Sequence, residues 1–224
     1  MKVFCLSAQR TGTTSMGRFL RDNKFNVCGW RESKSLKLSE LWYDGKLDEM
    51  FSAIEKRGFT GFEDSPWYYP GIEVELYRRY PDAKYILMER DPDAWFKSML
   101  SHSGGKNPGS ARIHARIYGR EADLGDLGGI RARDGSDWNM LELQGHAEHY
   151  KRIYVARNEK CRAYLAGQGA DLYHGRLEEI DWGDIAAFIG LDRPVFRSGS
   201  THANRSRGRR FKQFLRSLKK SVAG

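Results

Sequence analysis

Cysteine is scarce and scattered: Cys5, Cys28 and Cys161 form no Cys-x-x-Cys pair and no Cys/His metal spacing. That pattern argues against a disulfide framework or a zinc motif and suits a reducing compartment. Long apolar runs are also missing. None approaches the roughly 20 residues a membrane span needs, and the opening stretch Met1–Leu6 is too short for a secretory signal core. A cytoplasmic, unexported protein is the expectation. Acidic residues are absent beyond Asp192, whereas nine basic residues follow from Arg197 onward (Arg197, Arg205, Arg207, Arg209, Arg210, Lys212, Arg216, Lys219, Lys220). They account for the whole formal net charge of +9, so the rest of the chain is neutral. A neutral body with one basic tail points to a local anionic target, not to general nucleic-acid affinity.

The 224 residues, 40% apolar, suit one α/β domain, 1–196, followed by a tail, 197–224. Lys2–Ser7 reads as a buried strand, Gly12 as a turn, and Thr13–Asn23 as a helix carrying Met16, Phe19 and Leu20 on one face. Phe25–Trp30 is a second strand candidate, Leu36–Tyr43 and Lys46–Arg57 are helical, and Phe59–Glu63 is a strand ending at Asp64-Ser65-Pro66. A helix over Gly71–Tyr80 and a strand over Ala83–Glu89 follow. Asp91-Pro92 then supplies an N-cap and a first-turn proline for the next helix. Residues 102–135 are rich in glycine and arginine without sustained periodicity, and read as a flexible excursion or substrate lid. Periodicity predicts a long helix over Asp137–Ala166, then a strand at Ala170–Tyr173 and a helix at Trp182–Ile189. Strands alternating with helices predict a three-layer fold, a central parallel sheet flanked by helices, with ligands at the carboxyl ends of strands.

The first strand delivers the chain into Gln9-Arg10-Thr11-Gly12-Thr13-Thr14-Ser15. Backbone N–H groups and hydroxyls at the positive end of the following helix make a phosphate cradle. The lysine of a nucleotide-hydrolysing P-loop is absent, since Thr13 stands in its place, and Arg10 lies two residues before the glycine.

Arg-Thr-Gly-Thr-Thr-Ser after a strand resembles the 5′-phosphosulfate loop of sulfotransferases that use 3′-phosphoadenosine 5′-phosphosulfate (PAPS). A second feature agrees: Arg90 closes the strand Tyr85–Arg90, and Ser98 lies eight residues on, the arrangement with which that family holds the cofactor's 3′-phosphate. Asp64-Ser65-Pro66 and His202-Ala203-Asn204 are similar to features of a bacterial-type branch, and Arg207-Gly208 to a C-terminal element on the 3′-phosphate. The resemblance implies a P-loop-like fold, PAPS as donor and no metal. It implies Arg10, Thr11, Gly12, Thr13, Thr14, Ser15, Arg90, Ser98, Arg207 and Gly208 as cofactor-binding residues. Arg10 would offset charge on the leaving oxygen, and the base that deprotonates the acceptor is left open between Glu32 and Asp64, with His102 behind.

Other readings compete. Glu89 at a strand end could serve a small-molecule kinase as a magnesium ligand. A non-catalytic nucleotide-binding protein could use the tail on a membrane or nucleic acid. His146-x-x-His149 lacks a third ligand and reads as a surface pair. The tail places Phe211, Phe214, Leu215, Leu218 and Val222 on one face, which suits docking on the domain, an anionic membrane surface or an acidic partner. No specific nucleic acid is expected. The acceptor, whether small molecule, glycan or lipid, is not encoded in any motif, although Trp67-Tyr68-Tyr69 hints at a stacking surface.

Overall fold

The computed structural model describes residues 1–124 and 141–196. Five strands form one sheet: β1 (Val3–Cys5), β2 (Val27–Cys28), β3 (Gly61–Phe62), β4 (Lys84–Glu89) and β5 (Leu172–Arg176). Their order is β2-β3-β1-β4-β5, and every pairing is parallel. Among the described residues nine helices cover it: α1 (Thr13–Asp22), α2 (Trp30–Ser35), α3 (Leu38–Tyr43), α4 (Leu47–Lys56), α5 (Ile72–Arg79), α6 (Pro92–Ser103), α7 (Ala111–Tyr118), α8 (Ala147–Gly167) and α9 (Trp182–Phe188).

The apolar runs of β1 and β4 split by residue parity between the two faces, as a sheet buried on both sides requires. Phe4, Leu6, Phe62, Tyr85 and Leu87 meet the residues of α3, α4, α5 and α8. Val3, Cys5, Ile86 and Met88 meet α1 and α9 through Met16, Phe19, Leu20, Ile185 and Ala186. From central β1 the chain goes out to the β2 edge, returns through β3, and then crosses to β4 and β5 on the other side. Such a reversal marks where α/β sheets bind ligands, at the carboxyl ends of their strands.

Several boundaries differ from the sequence reading. A helix, α2, occupies Trp30–Ser35, where the strand reading stopped. The segment read as an excursion without periodicity carries helices over its described part: α6 runs on to Ser103, and α7 buries Ala111, Ile113, His114, Ala115, Ile117 and Tyr118. Gly104 and Gly119, with φ of 66° and 61°, are the C-caps of α6 and α7, where left-handed backbone favours glycine. The long helix α8 begins at Ala147, because residues 141–146 run as turns and extended chain before it. Trp67 is not a stacking surface: it is fully buried against Phe4 and Phe62.

A polar network fastens α7 to α8. His114 Nε2 lies 2.9 Å from the Tyr150 hydroxyl, and Arg120 Nη1 donates to the same oxygen at 2.8 Å. His146 faces the Arg120 guanidinium, and His149 Nε2 donates to the Tyr118 carbonyl at 2.7 Å. The two histidines therefore serve the packing of α7.

Candidate functional site

The loop after β1 is tied down at each end. The Ser7 hydroxyl accepts from the Met88 amide at 2.7 Å, joining the loop's entry to β4. Thr11 is fully buried and donates its hydroxyl to the Ala8 carbonyl, closing the turn from inside. Thr11 thus shapes the loop. Gly12 stands at the N-cap of α1 with φ 93°. A Cβ there would lie 2.7 Å from Leu177 Cδ1, so the left-handed backbone requires glycine and a side chain would also displace Leu177.

No side chain caps α1. The amides of Gly12, Thr13 and Thr14 donate to no described residue, and they stand at the positive end of a ten-residue helix. Thr13 and Ser15 are buried within this first turn.

Two arginines converge on the loop. Arg10, held at φ 71°, donates from Nε to Ser98 Oγ at 3.1 Å, so the loop contacts α6 directly. Its pKa is lowered, first by burial and then by the charge of Arg90. Two guanidinium groups without an intervening anion raise each other's free energy, and an anion between them removes that cost. Arg90 is anchored by its backbone, whose amide donates to the Tyr154 hydroxyl at 2.8 Å. Its Nε is enclosed without a hydrogen bond, the nearest acid being Glu178 at 3.6 Å. Tyr154 stacks on Trp95 at 4.2 Å, and Trp95 Nε1 donates to the Gln9 carbonyl at 3.0 Å. The capped helix α6, with Asp91 accepting from the Ala94 amide at 2.9 Å, thereby positions Ser98, Trp95 and the loop together.

The base candidates separate spatially. Asp64 follows β3 with φ 69° and accepts from the Ser65 amide at 2.7 Å. Burial raises its pKa, opposed by that hydrogen bond and by the charges of His102 and Arg10. Asp64, His102 and Arg10 therefore share one electrostatic environment. Glu32 belongs to another: its carboxylate accepts from the Gly29 amide at 3.0 Å, capping the start of α2 from inside the helix, and pairs with Arg21 at 3.6 Å.

Sequence reasoning missed Glu63. Its side chain is 5% exposed, and burial, followed by the neighbouring Asp64 charge, pushes its carboxyl up to about 8. The only sequence signal was a carboxylate ending a strand that otherwise reads as apolar.

A sulfotransferase-domain family model matches residues 2–205. The chain belongs to the sulfotransferase family. No curated relative matches it. The match spans all five strands of this sulfotransferase domain, the loop around Gly12 and the Arg90–Ser98 segment. His202-Ala203-Asn204 fall within the match but outside the described residues, whereas Arg207, Gly208 and the rest of the tail beyond residue 205 lie outside both. Among the described residues no three His, Cys, Asp or Glu side chains group as a metal site requires, and no helix is long and apolar enough to cross a membrane.

Proposed function

We propose that this sulfotransferase moves a sulfuryl group from PAPS to a hydroxyl or amine acceptor. One observation carries the reading: Arg10 and Arg90, delivered by the ends of two adjacent strands, crowd like charge beside an uncapped helix N-terminus. Such a site suits a ligand with two separated anionic groups. The amides of Gly12, Thr13 and Thr14 with the hydroxyls of Thr13, Thr14 and Ser15 suit the 5′-phosphosulfate end. Arg90 and Ser98 suit the 3′-phosphate.

Bound PAPS supplies an activated sulfuryl group whose transfer is an in-line displacement, so catalysis rests on placed charge more than on covalent help. Arg10 offsets negative charge gathering on the leaving oxygen. Asp64 takes the acceptor's proton, since it shares Arg10's environment and its raised pKa moves it toward the working range of a base. Glu32, committed to the α2 cap, is the weaker candidate.

The kinase reading loses its support at Glu89, whose carboxylate pairs with Arg162 on α8 at 3.2 Å. Thermal melting with adenosine 3′,5′-bisphosphate, set against ADP with magnesium, tests the choice. A shift with the bisphosphate, lost in Arg90→Ala, is expected; at 100 times its Kd a ligand adds about 2.7 kcal/mol. A shift with ADP and magnesium alone overturns the proposal.

A further inference from the structure

Two glycines in different elements are pressed against one carboxyl. A Cβ on Gly17, in the second turn of α1, would lie 2.7 Å from Glu63 Oε1 and 2.8 Å from its Cδ and Cγ. A Cβ on Gly29, in the turn between β2 and α2, would lie 2.4 Å from the same Oε1, 2.7 Å from Arg21 Nη2 and 3.4 Å from Glu32 Oε2. Gly17 lies inside a helix, where glycine costs about 1 kcal/mol relative to alanine. Gly29 has extended backbone at φ −102°, which any residue adopts. Neither glycine is needed for its own conformation. Gly17 is explained by the room the Glu63 side chain takes, and Gly29 by Glu63 together with Arg21.

Glu63 fills that notch while buried: it is 5% exposed, and the Asp64 charge beside it adds to the effect of burial, with Arg21 opposing. A buried carboxylate so placed would be costly, and the group escapes the cost by holding its proton. The charged and titratable groups around it are Arg21 on α1, Glu32 on α2, Asp64 beside it, and the thiols of Cys5 on β1 and Cys28 on β2. Both thiols are pushed up to about 12 by burial and stay neutral. Arg21 already pairs with Glu32, which leaves an ionised Glu63 facing two carboxylates.

We propose that Glu63 is a positioning residue: its side chain, wedged between Gly17 and Gly29, seats α1 and therefore the phosphate loop at the N-terminus of α1. What the loop holds rests on the sulfotransferase reading, but the wedge does not. An uncharged carboxyl keeps α1 close to the β2–α2 turn. Ionisation drives the carboxylate from Glu32 and Asp64, and α1 moves with it.

Melting temperature against pH, without ligand, is the first arm. The folded pKa of about 8 exceeds the ordinary 4.5, so the folded chain keeps a proton that the unfolded chain sheds. Stability falls as pH rises from about 4.5 to about 8 and is flat above. Glu63→Gln keeps the shape without the proton and removes this slope. An unchanged slope in Glu63→Gln overturns the proposal. The second arm is adenosine 3′,5′-bisphosphate affinity at pH 7. Glu63→Gln binds within about twofold of wild type, whereas Glu63→Ala and Gly17→Ala, which empty or overfill the notch, weaken binding about tenfold or more. Folded Glu63→Ala and Gly17→Ala that bind as wild type also overturn it. Failure of every variant and the wild type to bind the bisphosphate strikes the sulfotransferase reading instead, and the first arm still decides the wedge.

Discussion

Arg10 and Ser98 stand 88 residues apart in sequence and 3.1 Å apart in space, Nε to Oγ, so this hydrogen bond, with that from Trp95 to the Gln9 carbonyl, joins the loop after β1 to the helix after β4. Ser98→Ala removes a hydroxyl that serves Arg10 and, on our proposal, the cofactor's 3′-phosphate. Bisphosphate affinity should fall about tenfold, the scale of one hydrogen bond to a charged group. Isothermal titration measures it, and unchanged affinity would remove Ser98 from the site.

The two carboxylates once considered together as bases are separable by kinetics. Asp64→Asn should lower kcat by about 100-fold or more with bisphosphate binding intact. Since burial raises the Asp64 pKa, the acid limb of the wild-type profile should lie above the ordinary aspartate range, with activity gained as pH rises and the carboxyl ionises. Glu32→Ala should instead cost about 0.5–1 kcal/mol of stability through the α2 cap and leave kcat near wild type. The reverse pattern would transfer the role to Glu32.

Gly12→Ala tests the loop's geometry. The new Cβ meets Leu177 Cδ1 at 2.7 Å, and alanine is strained at φ 93°. A loss of about 1–3 kcal/mol in chemical denaturation, together with loss of the bisphosphate shift, is expected.

The α7 anchor has its own pH signature, opposite in sign to that of Glu63. Burial, then the Arg120 charge, lowers His114 to about 3 from an ordinary 6.5, so the unfolded chain binds a proton that the folded one refuses. Stability from this source is complete above about 6.5 and drains away as pH falls toward 3. Melting at pH 7 and pH 4.5 should show a smaller acid loss in His114→Gln than in wild type.

What was legible in the sequence was local. The strand, glycine turn and helix around Gly12, and the Asp91-Pro92 start of α6, are written in contiguous residues whose chemistry acts within one turn, and the structure has them where the pattern put them. Arg90 and Ser98 were singled out by resemblance to the sulfotransferase pattern of a strand-end arginine and a serine eight residues on. What was not legible needed tertiary contact. The Gly17–Glu63–Gly29 notch joins three elements, and nothing in any one of them shows it. Likewise α7 was hidden because glycines at its ends dominated the composition, while the burial that stabilises it comes from Tyr150, Leu143 and Leu141 farther along the chain. Asp64 and Glu32 looked alike in sequence because only the fold shows that Arg10 and His102 accompany one and Arg21 the other.

The strand order has a consequence for how the chain acquires its structure. β1 pairs with β3 through Val3 and Gly61 and with β4 through Val3 and Lys84, and with no strand nearer in sequence. During synthesis from the N-terminus, the first strand emerges with no partner and waits for most of the first ninety residues before the middle of the sheet can close. Loop-closure entropy must be met before those distant pairings reward it, which makes assembly slow and leaves apolar β1 exposed meanwhile. The segment that, on our proposal, holds the anion thus takes shape only after β4 has been made, and truncation before β4 should yield an aggregating fragment and not a smaller working domain.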